Sequence, residues 1–173
     1  NPWSDFFIEE ADEWRAEAWA IIKATPRHTY QICTKRIERA AQCLPADWGA
    51  GYPNVWLGVT AEDENQYYSR VPKLIDIQAA IHWVSIEPQL DGFSLSTPAD
   101  FLDWFVIGGE SGGDAREFNP DWARAIIEHI HRLGKAVFVK QMGSNPTGLV
   151  LRDKHGANPA AWDADLRVQE FPA

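Results

Sequence analysis

The chain has 173 residues, 45% of them hydrophobic, and a net charge of −9, which suits one globular unit with an ordinary core. The negative field disfavours nonspecific attachment to phosphate backbones and anionic membranes while leaving a local nucleic-acid site open. No apolar run of about 18 residues and no basic-then-apolar leader is present, so no membrane span and a cytoplasmic location are expected.

In chain order, Glu10 to Ala24 reads as a helix with Trp14, Ala18, Ile21 and Ile22 on one face, ended by Thr25-Pro26. Thr29 to Thr34 (TYQICT) is an apolar run that reads as a buried strand. A short helix from Arg36 to Leu44 stops at Pro45, and Val55 to Thr60 (VWLGVT) is the second strand. Glu64 to Ile77 carries Tyr67, Tyr68, Val71, Leu74 and Ile75 at helical spacing, with Pro72 inside as a kink. Ile81 to Glu87 (IHWVSIE) and Trp104 to Gly108 (WFVIG) are the third and fourth strands. Asn119-Pro120-Asp121 gives an N-cap residue, a first-turn proline and an acid, opening a helix to about Leu133 with Gly134 at its C′ position. Ala136 to Gln141 (AVFVKQ) is the fifth strand.

Near-continuous apolar strands alternating with helices at the length of one βα unit imply an α/β fold with a parallel sheet. No dinucleotide-type glycine fingerprint follows the first strand, and the chain is short for a closed eight-stranded barrel. The expectation is therefore a partial (β/α) barrel of five to six strands over residues 1–143. An earlier strand is expected to end at Asn1, Ser4 and Asp5, and residues 144–173 should form an irregular tail packed on the barrel.

In such folds the loops at the C-terminal strand ends build the site. Each strand here ends in functional residue types: Thr34, Lys35 and Arg36; then Glu62; then Glu87; then Gly108, Gly109, Glu110 and Ser111; and last Lys140 and Gln141. Glu87 ends an apolar strand, where an unpaired carboxylate is costly, so it calls for a cation or a ligand. A Glu87–Lys140 ion pair across the barrel mouth and a ligand site are both open at this point. A small-molecule ligand is expected, and no catalytic residue and no oligomeric state is specified.

Cys33 and Cys43 lie ten positions apart with no histidine beside them, and the five histidines form no metal spacing, so no metal site is expected. Two reduced, buried thiols are expected. The nine tryptophans read as packing residues.

The stretch VIGGESGG, Val106 to Gly113, formally contains a Gly-x-Ser-x-Gly elbow. That motif needs a helix directly after its serine, and the cap signal comes only at Asn119, so serine catalysis is disfavoured. An anion cradle with Arg116 as a bidentate donor fits better, with Glu110 calling for a cationic or hydroxyl end on the same ligand.

Read in order, TKR, NVWLGVTAE, VSIEPQL, WFVIGGESG, NPDWAR and VFVKQMG, with the DLRVQEFP ending, resemble a phage-associated family of largely uncharacterised proteins. Full-length members of that family carry a three-cysteine motif of the radical S-adenosylmethionine type. The resemblance implies a partial barrel with an iron–sulfur cluster and S-adenosylmethionine at the C-terminal strand edge. The three-cysteine region is absent from this chain, so none of these cofactors is expected to be held by it alone. The function implied is the C-terminal part of a radical-SAM-like enzyme of unknown substrate, and the alternative is a non-catalytic phage-encoded binding module on the same fold.

Overall fold

The computed structural model describes residues 5–95 and 97–173; Asn1 and Ser4, placed above at the end of an earlier strand, lie outside the described residues. After a 3-10 turn at Glu9–Ala11 come α1 (Asp12–Ala24), β1 (Tyr30–Thr34), α2 (Ile37–Cys43), β2 (Val55–Thr60), α3 (Glu64–Ile75), β3 (Ile81–Ile86), β4 (Trp104–Gly108), α4 (Pro120–Arg132) and β5 (Ala136–Gln141). All strand pairs are parallel and the order is β1-β2-β3-β4-β5. A sequential order has no point of reversal, which separates it from a doubly wound sheet. The sheet is an open run of five strands, consistent with a partial (β/α) barrel.

The elements form where local chemistry allows them. The Asp63 side chain caps α3 by accepting from Gln66 N at 2.9 Å, and Pro72 lies inside that helix. Asn119 Oδ1 accepts from Asp121 N at 3.0 Å at the start of α4, and Gly134 takes a positive φ of 69° after its end.

On α1 the buried face differs from the expected one. Trp19 and Ile22 are buried together with Arg15, whereas Trp14 and Ile21 are exposed. The reason is that Arg15 is not left unpaired: it pairs with Asp12 and donates to the Phe6 and Ile8 carbonyls at 3.1 and 2.7 Å. That lets an arginine occupy the 3.6-period stripe Ala11, Arg15, Trp19, Ile22.

The two faces of the sheet carry different cores. On the helix-covered outer face, Ile32, Leu57, Val59, Val84, Ile86, Phe105, Ile107, Val137 and Val139 join one large cluster with the helices. On the helix-free inner face, Trp83, Trp104 and Val106 form a separate cluster with Cys33, Trp56, Ala136 and Phe138 packed against it.

The tail does more than wrap the surface. Trp162 and Leu166 are buried in the main core, and an antiparallel bridge pairs Gln169 with Phe138 of β5. Val139 N donates to Val168 O, and Glu170 N to Val137 O, both at 2.8 Å. This covers the outer edge of β5, which would otherwise offer unpaired backbone groups. Cys33 and Cys43 are both free thiols, half-buried where full burial was expected. Among the described residues no helix is long and apolar enough to cross a membrane.

Candidate functional site

Parallel pairing sets the inner-face side chains in rows across the sheet. One row is Cys33, Gly58, Trp83, Trp104 and Ala136; the next toward the C-terminal edge is Thr60, Ser85, Val106 and Phe138. Two residues beyond Ser85, just past the end of β3, lies Glu87, and two beyond Phe138 lies Lys140. These rows surround a cavity of about 690 Å³ whose walls include Trp83, Trp104, Ser85, Glu87, Lys140 and, from the tail, Phe171.

The floor is aromatic. The Trp83 indole lies across Gly58, where any Cβ would overlap the ring, and its Nε1 donates to Trp56 O at 3.2 Å. Trp104 sits 5.4 Å from Trp83 and 5.4 Å from Phe171, stacked on the latter at 27°, and its Nε1 donates to Glu170 O at 2.8 Å. The mouth is charged: Lys140 Nζ donates to Glu87 Oε2 at 3.0 Å, with the Glu87 side chain 16% exposed and that of Lys140 54%.

Between floor and mouth stand two hydroxyls and a thiol. Thr60 Oγ1 is 3.4 Å from Cys33 Sγ, and burial pushes the Cys33 thiol up to about 11, so it stays protonated at neutral pH. Ser85 is 8% exposed, and its hydroxyl makes no hydrogen bond among the described residues.

The other charges along the C-terminal edge satisfy one another. Asp5 accepts from Thr34 Oγ1 at 2.7 Å and from Lys35 N at 2.7 Å, and lies 3.5 Å from Arg36 Nη1. Glu62 pairs with Lys35 and with Arg70 Nη1, the latter at 2.9 Å, and Arg70 also donates to Thr60 O at 2.7 Å. Burial first, then the Arg70 guanidinium, holds Lys35 below the usual lysine range.

The glycine loop is a brace between strand ends. A Cβ at Gly109 would overlap the Met142 carbonyl, and one at Gly143 the Glu110 carbonyl. That close approach lets Gly109 N donate to Gln141 O at 3.0 Å, Gln141 Nε2 to Gly109 O at 2.9 Å and Ser144 N to Glu110 O at 2.7 Å. Arg116, the expected anion donor, gives its fork to Glu110 at 2.7 and 2.8 Å and its backbone N–H at 2.9 Å, holding that carboxyl at about 2. Ser111 is exposed and α4 begins only at Pro120, so the geometry is not that of a nucleophile elbow.

Residues 1–172 match the family described as Protein of unknown function (DUF5131). The chain belongs to that family. No curated protein and no solved structure matches it.

Of the residues expected at the site in this DUF5131 chain, Glu87 and Lys140 meet at the cavity, and Gly108 lies against Glu87, its Cβ position 3.3 Å from Glu87 Cγ. Thr34, Lys35, Arg36 and Glu62 form the neighbouring ion-pair cluster, while Gly109, Glu110 and Gln141 belong to the brace. Of the inner wall, Thr60 stands at a strand end read as functional from the sequence, whereas Cys33, Trp83, Ser85, Trp104 and Phe138 were not named as site residues. Strand parity carries the signal: counting back by twos from Glu87 gives Ser85 and Trp83, and from Lys140 gives Phe138.

Proposed function

We propose that this chain is the C-terminal part of a radical-SAM-like protein, of the phage-associated kind its motif series resembles, and that it binds a small molecule in the inner-face cavity. The observation that carries the reading is the cavity itself: about 690 Å³, aromatic at the floor, with the Glu87–Lys140 pair at its mouth on the C-terminal strand ends. Sites of this size and lining, at this edge of (β/α) folds, are where ligands bind. S-adenosylmethionine is of a size to fit, and Glu87 and Lys140 would meet the charged ends of either it or a substrate.

An iron–sulfur cluster is a different matter. The chain has two cysteines, and among the described residues no three His, Cys, Asp or Glu side chains are placed to hold a metal ion. These residues do not fit such a cluster.

Titration of S-adenosylmethionine against the chain, followed by the fluorescence of the cavity indoles, is expected to show saturable binding that Glu87→Gln weakens. Reconstitution of a full-length family member with iron and sulfide is expected to give cluster absorbance and reductive cleavage of S-adenosylmethionine; absence of both would remove the enzymatic reading.

One observation favours a non-catalytic binding module on the same fold. The edge charges Lys35, Glu62, Glu110 and Arg116 are neutralised within the chain. That reading expects Glu87→Gln and Lys140→Met to leave biological activity intact while surface changes abolish it.

A further inference from the structure

The cavity holds one charge pair whose members are held very differently. Among the described residues lining it, Glu87 is the only carboxylate and Lys140 the only cation. Glu87 is 16% exposed and packed against Gly108 at the end of a central strand. Lys140 is 54% exposed, near the end of the sheet's last strand, on a long flexible stem. A ligand entering between them therefore displaces the lysine and keeps the carboxylate.

An incoming cation exchanges one ammonium for another on Glu87 and frees Lys140 to water at little cost. An incoming anion would instead claim Lys140 and leave Glu87 partly buried without a partner, which is unfavourable. The aromatic floor favours the same sign, because ring faces attract cations, and the Cys33 thiol adds no competing charge.

The depth of the cavity sets the rest of the ligand. Trp83 in β3 and Glu87, one residue past its end, are four residues apart and both line the cavity, a span of roughly 13 Å for extended chain. The floor is aromatic throughout: Trp83 lies against Gly58, and Trp104, tilted 45° to it, stacks with Phe171. Between floor and carboxylate, Ser85, a residue 8% exposed, lines the cavity with a hydroxyl that has no partner among the described residues and is open to a polar atom of a ligand.

Resting on the reading of this cavity as a ligand site, we infer that its occupant is an organic cation with a flat aromatic body: an ammonium group on Glu87 in place of Lys140, the ring on Trp83 and Trp104, and a polar atom reaching Ser85.

The test uses the whole 173-residue chain and three simple probes. 2-Phenylethylammonium has the ring and the cation, 3-phenylpropionate has the ring and an anion, and n-butylammonium has the cation without the ring. Binding is read by quenching of the cavity indoles and by calorimetry, with circular dichroism confirming that each variant folds. Phenylethylammonium is expected to bind best, Glu87→Gln to weaken it by about tenfold or more, and Ser85→Ala to leave it unchanged, since this probe carries no polar atom besides its ammonium.

The distinguishing expectation is that Lys140→Met leaves the binding of that cation unchanged or tightens it, because the lysine competes for the same carboxylate. Preference for phenylpropionate with loss of binding in Lys140→Met would overturn the inference and leave the cavity as an anion site. Equal binding of butylammonium, or binding indifferent to Glu87→Gln, would also overturn it. S-adenosylmethionine, itself a cation with an adenine ring, belongs to the inferred class; its binding with loss in Lys140→Met would overturn the inference while sparing the proposed function, and binding of none of these molecules would sink both.

Discussion

The outer and inner faces of the same five strands have been put to different uses. Outward, each strand presents aliphatic or aromatic side chains with no solvent exposure to speak of, locked against α3, α4 and their neighbours. Inward, tryptophans give way within two rows to Thr60 and Ser85 and then to Glu87 and Lys140, with only the tail segment around Phe171 laid over the floor. The main hydrophobic core is concentrated on one side of a single-residue alternation, and the cavity proposed to take a ligand lies on the other. A substitution one position along a strand therefore changes the kind of effect expected as well as its size.

The largest expected effect breaks or confirms that division directly. Phe105 and Phe138 are aromatic residues on adjacent strands, the first fully buried on the outer face and the second half-buried on the inner. Phe105→Ala is expected to cost about 3–5 kcal/mol, and Phe138→Ala about 1–2 kcal/mol, since only part of its area leaves water. Urea unfolding of both variants measures this, and equal losses would mean that the inner wall is as much a structural core as the outer.

Where the two faces end at the C-terminal edge, glycines sharpen the comparison. Gly109→Ala is expected to destabilise by about 1–3 kcal/mol, because its methyl group would overlap a backbone carbonyl that cannot swing aside. Gly113, in the same loop, has open space around its Cβ position and no positive φ, so Gly113→Ala is expected to stay within about 0.5 kcal/mol of the native chain. Comparable losses at both positions would argue that the loop needs flexibility rather than close approach.

Much of this was legible beforehand. The strands Val55–Thr60, Trp104–Gly108 and Ala136–Gln141 are found as read, since buried parallel strands announce themselves as short apolar runs between breakers. The start of α4 was fixed by the Asn119 cap and Pro120. The face of α1 was misread because burial of Arg15 depends on carbonyls of Phe6 and Ile8 that no periodicity reveals.

The candidate site was legible at its rim but hidden in its wall. Glu87 stood out against apolar neighbours, whereas Trp83 and Ser85 looked like more of the same strand. Among the described residues the helices pack on the opposite face, and that leaves these side chains to line a cavity. VIGGESGG misled in the opposite direction. Its glycines suggested an anion cradle, yet two of its strongest constraints, at Gly109 and across to Gly143, come from neighbouring backbone.

The smallest expected effect concerns that loop's one ion pair and takes its sign from the Glu110 carboxyl. Arg116 holds the folded-state value at about 2, below the ordinary 4.5. A depressed carboxylate contributes stability that is fully present above its unfolded value and fades as the pH falls from about 4.5 through about 2. Arg116 is more than half exposed and Glu110 about a third, so water screens the pair and the contribution is held below about 1 kcal/mol. Glu110→Gln is accordingly expected to lower the urea midpoint slightly near pH 7, with the gap to the native chain narrowing as the pH approaches 2. A gap that stayed constant through that range would assign the loss to the disturbed brace around Ser144 and Gly143, leaving the Glu110–Arg116 charge pair without measurable weight at this edge of the barrel.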